Sequence, residues 1–99
     1  MKGAISGRSS VVAAKDPVSC DLDGEAVILS VRNGIYYGLD GVGARVWSIV
    51  QEPRTVDEIR NILLKEYDVE ADRCERDLLD LLQELAANGL IEIGDEVGA

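Results

Sequence analysis

Apolar and polar positions change their period near residue 40. Before it, short apolar runs alternate with turn dipeptides: Val18–Leu22 precedes Asp23-Gly24, Glu25–Arg32 precedes Asn33-Gly34, and Ile35–Leu39 closes the set. Asp-Gly and Asn-Gly tolerate the positive φ of two-residue hairpin turns. The pattern therefore predicts a three-stranded antiparallel meander. Ala26–Val31 is its most β-like run and belongs in the middle, which leaves the third strand, Ile35–Leu39, at an edge.

After residue 40 the apolar spacing becomes helical. Asp40 is placed to N-cap a helix to about Val50, with Val42, Val46, Ile49 and Val50 on one face and Trp47 beside them. Pro53 ends it. Thr55-Val56-Asp57-Glu58 has the form of a capping box and opens a helix with Val56, Ile59, Ile62, Leu63 and Tyr67 on its apolar side. Asp68–Ala71 reads as a turn, Asp72 as the cap of a third helix to about Asn88, and Gly89 as its C′ residue. Leu90–Ile93 reads as a short closing strand. The Gly-, Ser- and Ala-rich residues 1–16 read as a flexible arm, 17–93 as one folded domain, and 94–99 as a frayed tail.

The third helix has an unusually broad apolar face. At 100° per residue Cys74, Leu78, Leu81 and Leu85 fall in one narrow arc, which is a core face. Leu79, Leu82 and Ala86 form a flanking arc with Glu75 at its upper end. Two readings follow: both arcs are buried by other elements, or the flanking arc lines an exposed groove beside the edge strand.

Charge narrows the classes of function. The 99 residues hold 10 basic and 19 acidic side chains, a net charge of −9, and no His. Residues 1–50 carry equal numbers of bases and acids, so the whole surplus lies beyond residue 50. Such a chain repels phosphate backbones and anionic lipid, so nucleic acid and membrane are poor partners and a neutral or basic peptide is a better one. Without His, the common zinc sets and His-dependent nucleophile systems are absent. Cys20 and Cys74 form no CxxC and read as reduced thiols of a cytoplasmic protein. There is no signal-peptide h-region and no run long enough to span a membrane.

Three motifs invite chemistry and do not support it. Gly38–Gly43 holds glycines at a strand-to-helix junction but matches neither phosphate-loop spacing, and no Lys follows. Asp21, Asp23 and Glu25 flank a hairpin turn and lack the remaining ligands of a calcium loop. The paired helices 55–67 and 72–88 suit a winged helix-turn-helix, but the second carries Arg73 and Arg76 against five acids. That surface should repel DNA. The residues thus predict an α+β, winged helix-turn-helix-like domain with a three-stranded antiparallel meander followed by three helices. No catalytic pair, metal set or cofactor is indicated.

Asn33-Gly34-Ile35-Tyr36-Tyr37-Gly38-Leu39-Asp40-Gly41-Val42-Gly43-Ala44-Arg45-Val46-Trp47 resembles the PqqD family, the RiPP recognition elements. The family pattern is a Gly-turn, an aromatic pair, Leu-Asn/Asp, a small residue, then an aliphatic-Trp pair. Thr55–Ile59, Tyr67-Asp68-Val69, Asp77-Leu78, Leu85 and Gly89-Leu90-Ile91 continue in family order, so the likeness covers roughly residues 18–93. Glu52-Pro53 departs from it, where the family often has a Gly-containing turn.

The resemblance implies a non-catalytic adaptor that binds the leader of a ribosomally made precursor peptide and hands it to a modifying enzyme. It is most like the stand-alone proteins of lasso-peptide biosynthesis, which act with a leader peptidase. An adaptor for a radical enzyme and a nucleic-acid-binding winged helix are the alternatives. An exposed edge strand accepts an added strand through main-chain hydrogen bonds. The expected site is therefore Ile35, Tyr36, Tyr37, Gly38 and Leu39, with Leu79, Leu82 and Ala86 supplying pockets and Asp72 and Glu75 at one end of the groove. Side chains alternate along a strand, so one of Tyr36 and Tyr37 faces the core; the shared face with Ile35 and Leu39 favours Tyr37. Left unoccupied, the same edge could pair with a second copy.

Overall fold

The computed structural model describes residues 5–96. The elements run β1 (Ser9–Ala13), β2 (Val18–Leu22), β3 (Glu25–Ser30), β4 (Ile35–Asp40), α1 (Gly41–Ile49), β5 (Arg54–Thr55), α2 (Val56–Glu66), α3 (Ala71–Ala87) and β6 (Ile91–Glu96). The fold is α+β, with three helices and two three-stranded antiparallel sheets, β2-β3-β4 and β5-β1-β6.

The meander forms, and its first turn is the one its residues require. Asp23 and Gly24 both adopt positive φ, 54° and 87°, which the two-residue turn between β2 and β3 needs. The second turn is longer than expected. Only Gly34 has positive φ, at 69°, and its N–H donates to the Ser30 carbonyl at 2.7 Å. Residues 31–34 therefore form a loop, β3 stops at Ser30 rather than Arg32, and Ser30 pairs with Ile35.

Alternation then divides the sheet into two faces. Ala26, Ile28 and Ser30 are buried, and they register with Leu39, Tyr37 and Ile35. α1 packs against β3 and β4. The core joins this face to Val46, Ile49 and Val50 of the first helix segment, Ile59 and Leu63 of α2, and Leu78, Leu82 and Leu85 of α3.

The helix ends test the capping arguments one by one. Thr55 Oγ1 accepts from the Glu58 N–H at 3.1 Å, and Glu58 Oε1 accepts from the Thr55 N–H at 2.9 Å, so the capping box is complete. Gly89 has φ 76°; its N–H donates to the Ala86 carbonyl and that of Leu90 to the Leu85 carbonyl. This pair of bonds is a Schellman closure. Asp40 stands at the N-cap of α1 and ends β4, but makes no side-chain cap bond. Asp72 is not a cap: Glu70 holds that position, and Asp72 lies in the first turn, where its charge complements the helix dipole.

Residues 1–16 do not behave as an arm where the structure describes them. β1 is the middle strand of its sheet, and Val11 is wholly buried. The Ala13 N–H donates to the Val50 carbonyl, that of Ala14 to the Leu90 carbonyl, and that of Asp57 to the Gly7 carbonyl. The segment thus binds main-chain groups near the ends of all three helices. The small residues that suggest disorder serve close packing: a Cβ on Gly7 would overlap the Asp57 carboxylate, and one on Gly94 would overlap Ser10. The closing strand likewise runs past Ile93 to Glu96, because β1 supplies its partner. Residues 1–4 and 97–99 lie outside the described residues.

Candidate peptide-docking groove

β4 is an edge of its sheet, so one side of its main chain has no ladder partner among the described residues. Its side chains alternate as required. Tyr36 is 70% exposed, opposite Leu29 on the outer face, whereas Tyr37 pairs with the buried Ile28 and is itself partly buried. The Tyr37 hydroxyl donates to Asn88 Oδ1 at 3.1 Å, and Asn88 Nδ2 donates to the Glu84 carbonyl at 2.8 Å. The second bond fixes the orientation of the amide. Tyr37 is therefore the inward aromatic, and it ties β4 to the C-terminal end of α3.

Two residues beyond β4, Val42 enters the wall of an apolar cavity of about 180 Å³. Val46, Leu63, Tyr67, Val69, Cys74, Leu78 and Leu81 complete its lining, and Arg73 and Asp77 border it. β4 and the start of α1 thus run along α3 from its C-terminal end toward its N-terminal half. The Tyr37–Asn88 bond marks one end of this path and the cavity the other. Val42 is 44% exposed, so its apolar side chain lies at the mouth.

The two flanks of α3 meet different neighbours. Asp77, Leu81 and Asn88 face the β4–α1 side. The opposite flank carries Glu75, Leu79, Leu82 and Ala86. Glu75 turns to α2, where Oε1 lies 3.2 Å from Arg60 Nη1, and Arg60 also lies 3.4 Å from Asp57. Leu82 is wholly buried and belongs to the core; Leu79 and Ala86 are partly buried against it. Leu81, assigned to the core face, is the partly buried residue at the cavity. Asp72 is exposed on the far flank. Periodicity finds a wide apolar face but not which neighbour abuts each margin. Among the five strand positions, Ile35 and Tyr36 are exposed, Tyr37 and Leu39 are partly buried inward, and Gly38 leaves open space on the outer face.

The electrostatics are mild around the groove. Arg45 on α1 grips Glu66 at the end of α2 through two bonds, Nε to Oε1 at 2.8 Å and Nη2 to Oε2 at 2.6 Å. The pairing holds the Glu66 carboxyl below its usual range, chiefly through this hydrogen bond. Burial pushes the Cys74 thiol up, so at neutral pH it is an apolar wall rather than a nucleophile. Among the described residues no group of three His, Cys, Asp or Glu side chains is disposed to hold a metal ion, and no helix is long and apolar enough to cross a membrane.

Fold and site together define a small α+β domain whose open strand edge lies beside an apolar, helix-lined cavity. Residues 25–91 match the model of the family described as Coenzyme PQQ synthesis protein D (PqqD), and the chain belongs to that family. Three solved structures are similar. TbiB1, in complex with the TbiA(beta) leader peptide, shares 40% identity over 82% of this chain and 94% of that chain, with TM-score 0.78. A lasso peptide synthetase B1 complexed with its leader peptide shares 24% identity over 83% and 96%, with TM-score 0.74, a likeness of fold. The PqqD part of Methylobacterium extorquens PqqCD, described as a functional, stand-alone RiPP recognition element, shares 25% identity over 90% and 95%, with TM-score 0.73. Comparison with curated proteins gives no match.

Proposed function

We propose that this protein is a non-catalytic adaptor that binds the leader segment of a ribosomally synthesised precursor peptide. The leader adds as a strand to the open edge of β4, through main-chain hydrogen bonds that are indifferent to sequence, while side-chain pockets supply the selectivity. The observation that carries this reading is the juxtaposition of that edge with the apolar cavity between α1 and α3. A leader strand passing along β4 would direct alternate side chains toward α3, and one apolar side chain would fill the cavity against Val42 and Leu81.

The likeness to TbiB1, solved with a leader peptide, supports leader binding; the lasso-peptide class of precursor, a leader peptidase as the recipient enzyme and the cytoplasm as the place of action are read from the resemblance of the sequence to its family. The arrangement of helices and strands supports a winged helix-turn-helix-like description. The acidic surplus of α3 disfavours the nucleic-acid function that such an architecture can serve.

The test is a fluorescence-polarisation titration with the labelled leader of a short precursor encoded beside this protein. Saturable binding that is lost on Leu81→Glu, and lost when alternate leader amides are N-methylated, is the expected result. Undetectable binding to such leaders, with tight binding to duplex DNA instead, would overturn the reading.

A further inference from the structure

β2 presents a second open edge, on the side of the meander away from β4. Among the described residues only β3 pairs with it, and all five of its residues are exposed. Edge strands are commonly blunted by charged side chains, Pro or a bulge. Val18–Leu22 carries one such residue, Asp21, and Pro17 stands just outside it. The two-residue turn fixes the phase of the ladder. Leu22 and Glu25 flank it and exchange both hydrogen bonds, so alternation turns the main-chain groups of Cys20 toward β3 and those of Ser19 and Asp21 outward. Side chains alternate too: Val18, Cys20 and Leu22 share the outer sheet face with Val27 and Leu29, and Ser19 and Asp21 lie on the other.

We propose that β2 is a self-association edge, at which two copies of the chain pair their β2 strands antiparallel about a two-fold axis at Cys20 and leave both β4 edges open. In this register each Ser19 faces Asp21 of the partner subunit. The hydroxyl donates to the carboxylate, and the two pairs together exchange about four main-chain hydrogen bonds. Neighbouring registers are worse. Centring on Asp21 sets two carboxylates opposite each other, which is destabilising across a strand pair. Centring on Ser19 brings in Pro17, which has no N–H to donate.

The chosen register also sets Val18, 60% exposed, against Leu22 of the partner subunit, so the apolar outer face continues across the seam. The β2 strand itself carries a single charge, Asp21, which this register sets opposite Ser19 rather than opposite another carboxylate, and the acidic surplus of the chain lies beyond residue 50. This is a different edge from the one the sequence singles out for self-pairing, Ile35–Leu39, which the proposed function reserves for the leader.

Cys20 meets its symmetry mate at a non-hydrogen-bonded position, where Cα atoms lie about 4.5 Å apart, within disulfide reach. Diamide then joins them, taking up the two electrons and two protons of the thiols as the S–S bond forms. Sedimentation equilibrium of the full chain should show a reversible dimer. Ser19→Lys should tighten it severalfold, by setting an ammonium opposite Asp21 of the partner subunit, and Ser19→Asp should weaken it by a similar factor. Diamide should give a cross-linked dimer with Cys74→Ser and none with Cys20→Ser. A monomer at every concentration, Ser19 variants with unchanged dissociation constants, or a dimer dispersed by excess leader peptide would overturn the proposal. Because the sedimentation, Ser19-variant and diamide readouts need no bound peptide, a failure of leader binding leaves them intact.

Discussion

The Tyr37 hydroxyl donates to Asn88 Oδ1 across 3.1 Å, joining residues 51 apart in the chain. The bond spans from the inner face of an edge strand to the cap of α3, so it holds one end of the groove at a set width. Tyr37→Phe should cost about 1 kcal/mol, the usual net value of an intramolecular hydrogen bond. Tyr36→Phe, at an exposed position without such a partner, should change stability by less than about 0.5 kcal/mol. Urea denaturation of both variants compares them directly.

Leu81 and Leu82 are adjacent in sequence and opposite in consequence. Leu82 is wholly buried, and Leu82→Ala should cost roughly 2–5 kcal/mol, as buried Leu truncations do. Leu81→Ala, at the partly exposed cavity wall, should cost less and should weaken leader binding more. Denaturation midpoints and polarisation titrations on the same two proteins separate these effects.

Glu75 serves the α2–α3 contact. Glu75→Lys would set an ammonium beside Arg60 and leave Asp57 as that residue's remaining acidic partner. The expected result is a lower denaturation midpoint with leader affinity and its salt dependence unchanged. A marked loss of affinity in the folded variant would return Glu75 to the docking site.

The Arg45–Glu66 pair predicts an acid limb of stability. Its folded carboxyl titrates below the unfolded one, so the stabilisation is present above the unfolded pKa of about 4.3. It is lost as pH falls through the folded value. The difference in midpoint between the wild-type protein and Glu66→Gln should therefore be largest near neutrality and close below about pH 4. A pH series of urea melts checks it.

The two thiols should differ sharply in reactivity. Cys20 is exposed and Cys74 is buried, with a thiol whose pKa burial raises. Ellman's reagent should label Cys20 at once and Cys74 slowly. A leader that fills the cavity should slow Cys74 further and leave Cys20 unchanged; equal slowing of both would argue against occupancy there.

What could be read from the sequence was local. Asp23-Gly24, the Thr55–Glu58 box and the Gly89 cap each act within a few residues, so their residue types sufficed. The alternation that turned Tyr37 inward was legible for the same reason. What escaped depended on distant partners. β1 is a strand because β5 and β6 flank it and Val11 reaches the core, and nothing within Ser9–Ala13 announces that. The groove-facing margin of α3 was equally hidden, since only the placement of Arg60 and of β4 decides between Leu81 and Leu82. Asp72 and Glu70 show a third kind of miss, in which a two-residue shift of a helix start passes the cap from one acidic residue to another.

The segment bearing β1 has a practical corollary for protein engineering. The family match begins at residue 25, and a designer guided by it would cut the chain near Pro17 before fusing the domain to another protein. Such a cut would strip the middle strand from one sheet and orphan the carbonyls of Val50 and Leu90. The portable unit begins ahead of Gly7, and any tag or linker belongs before it.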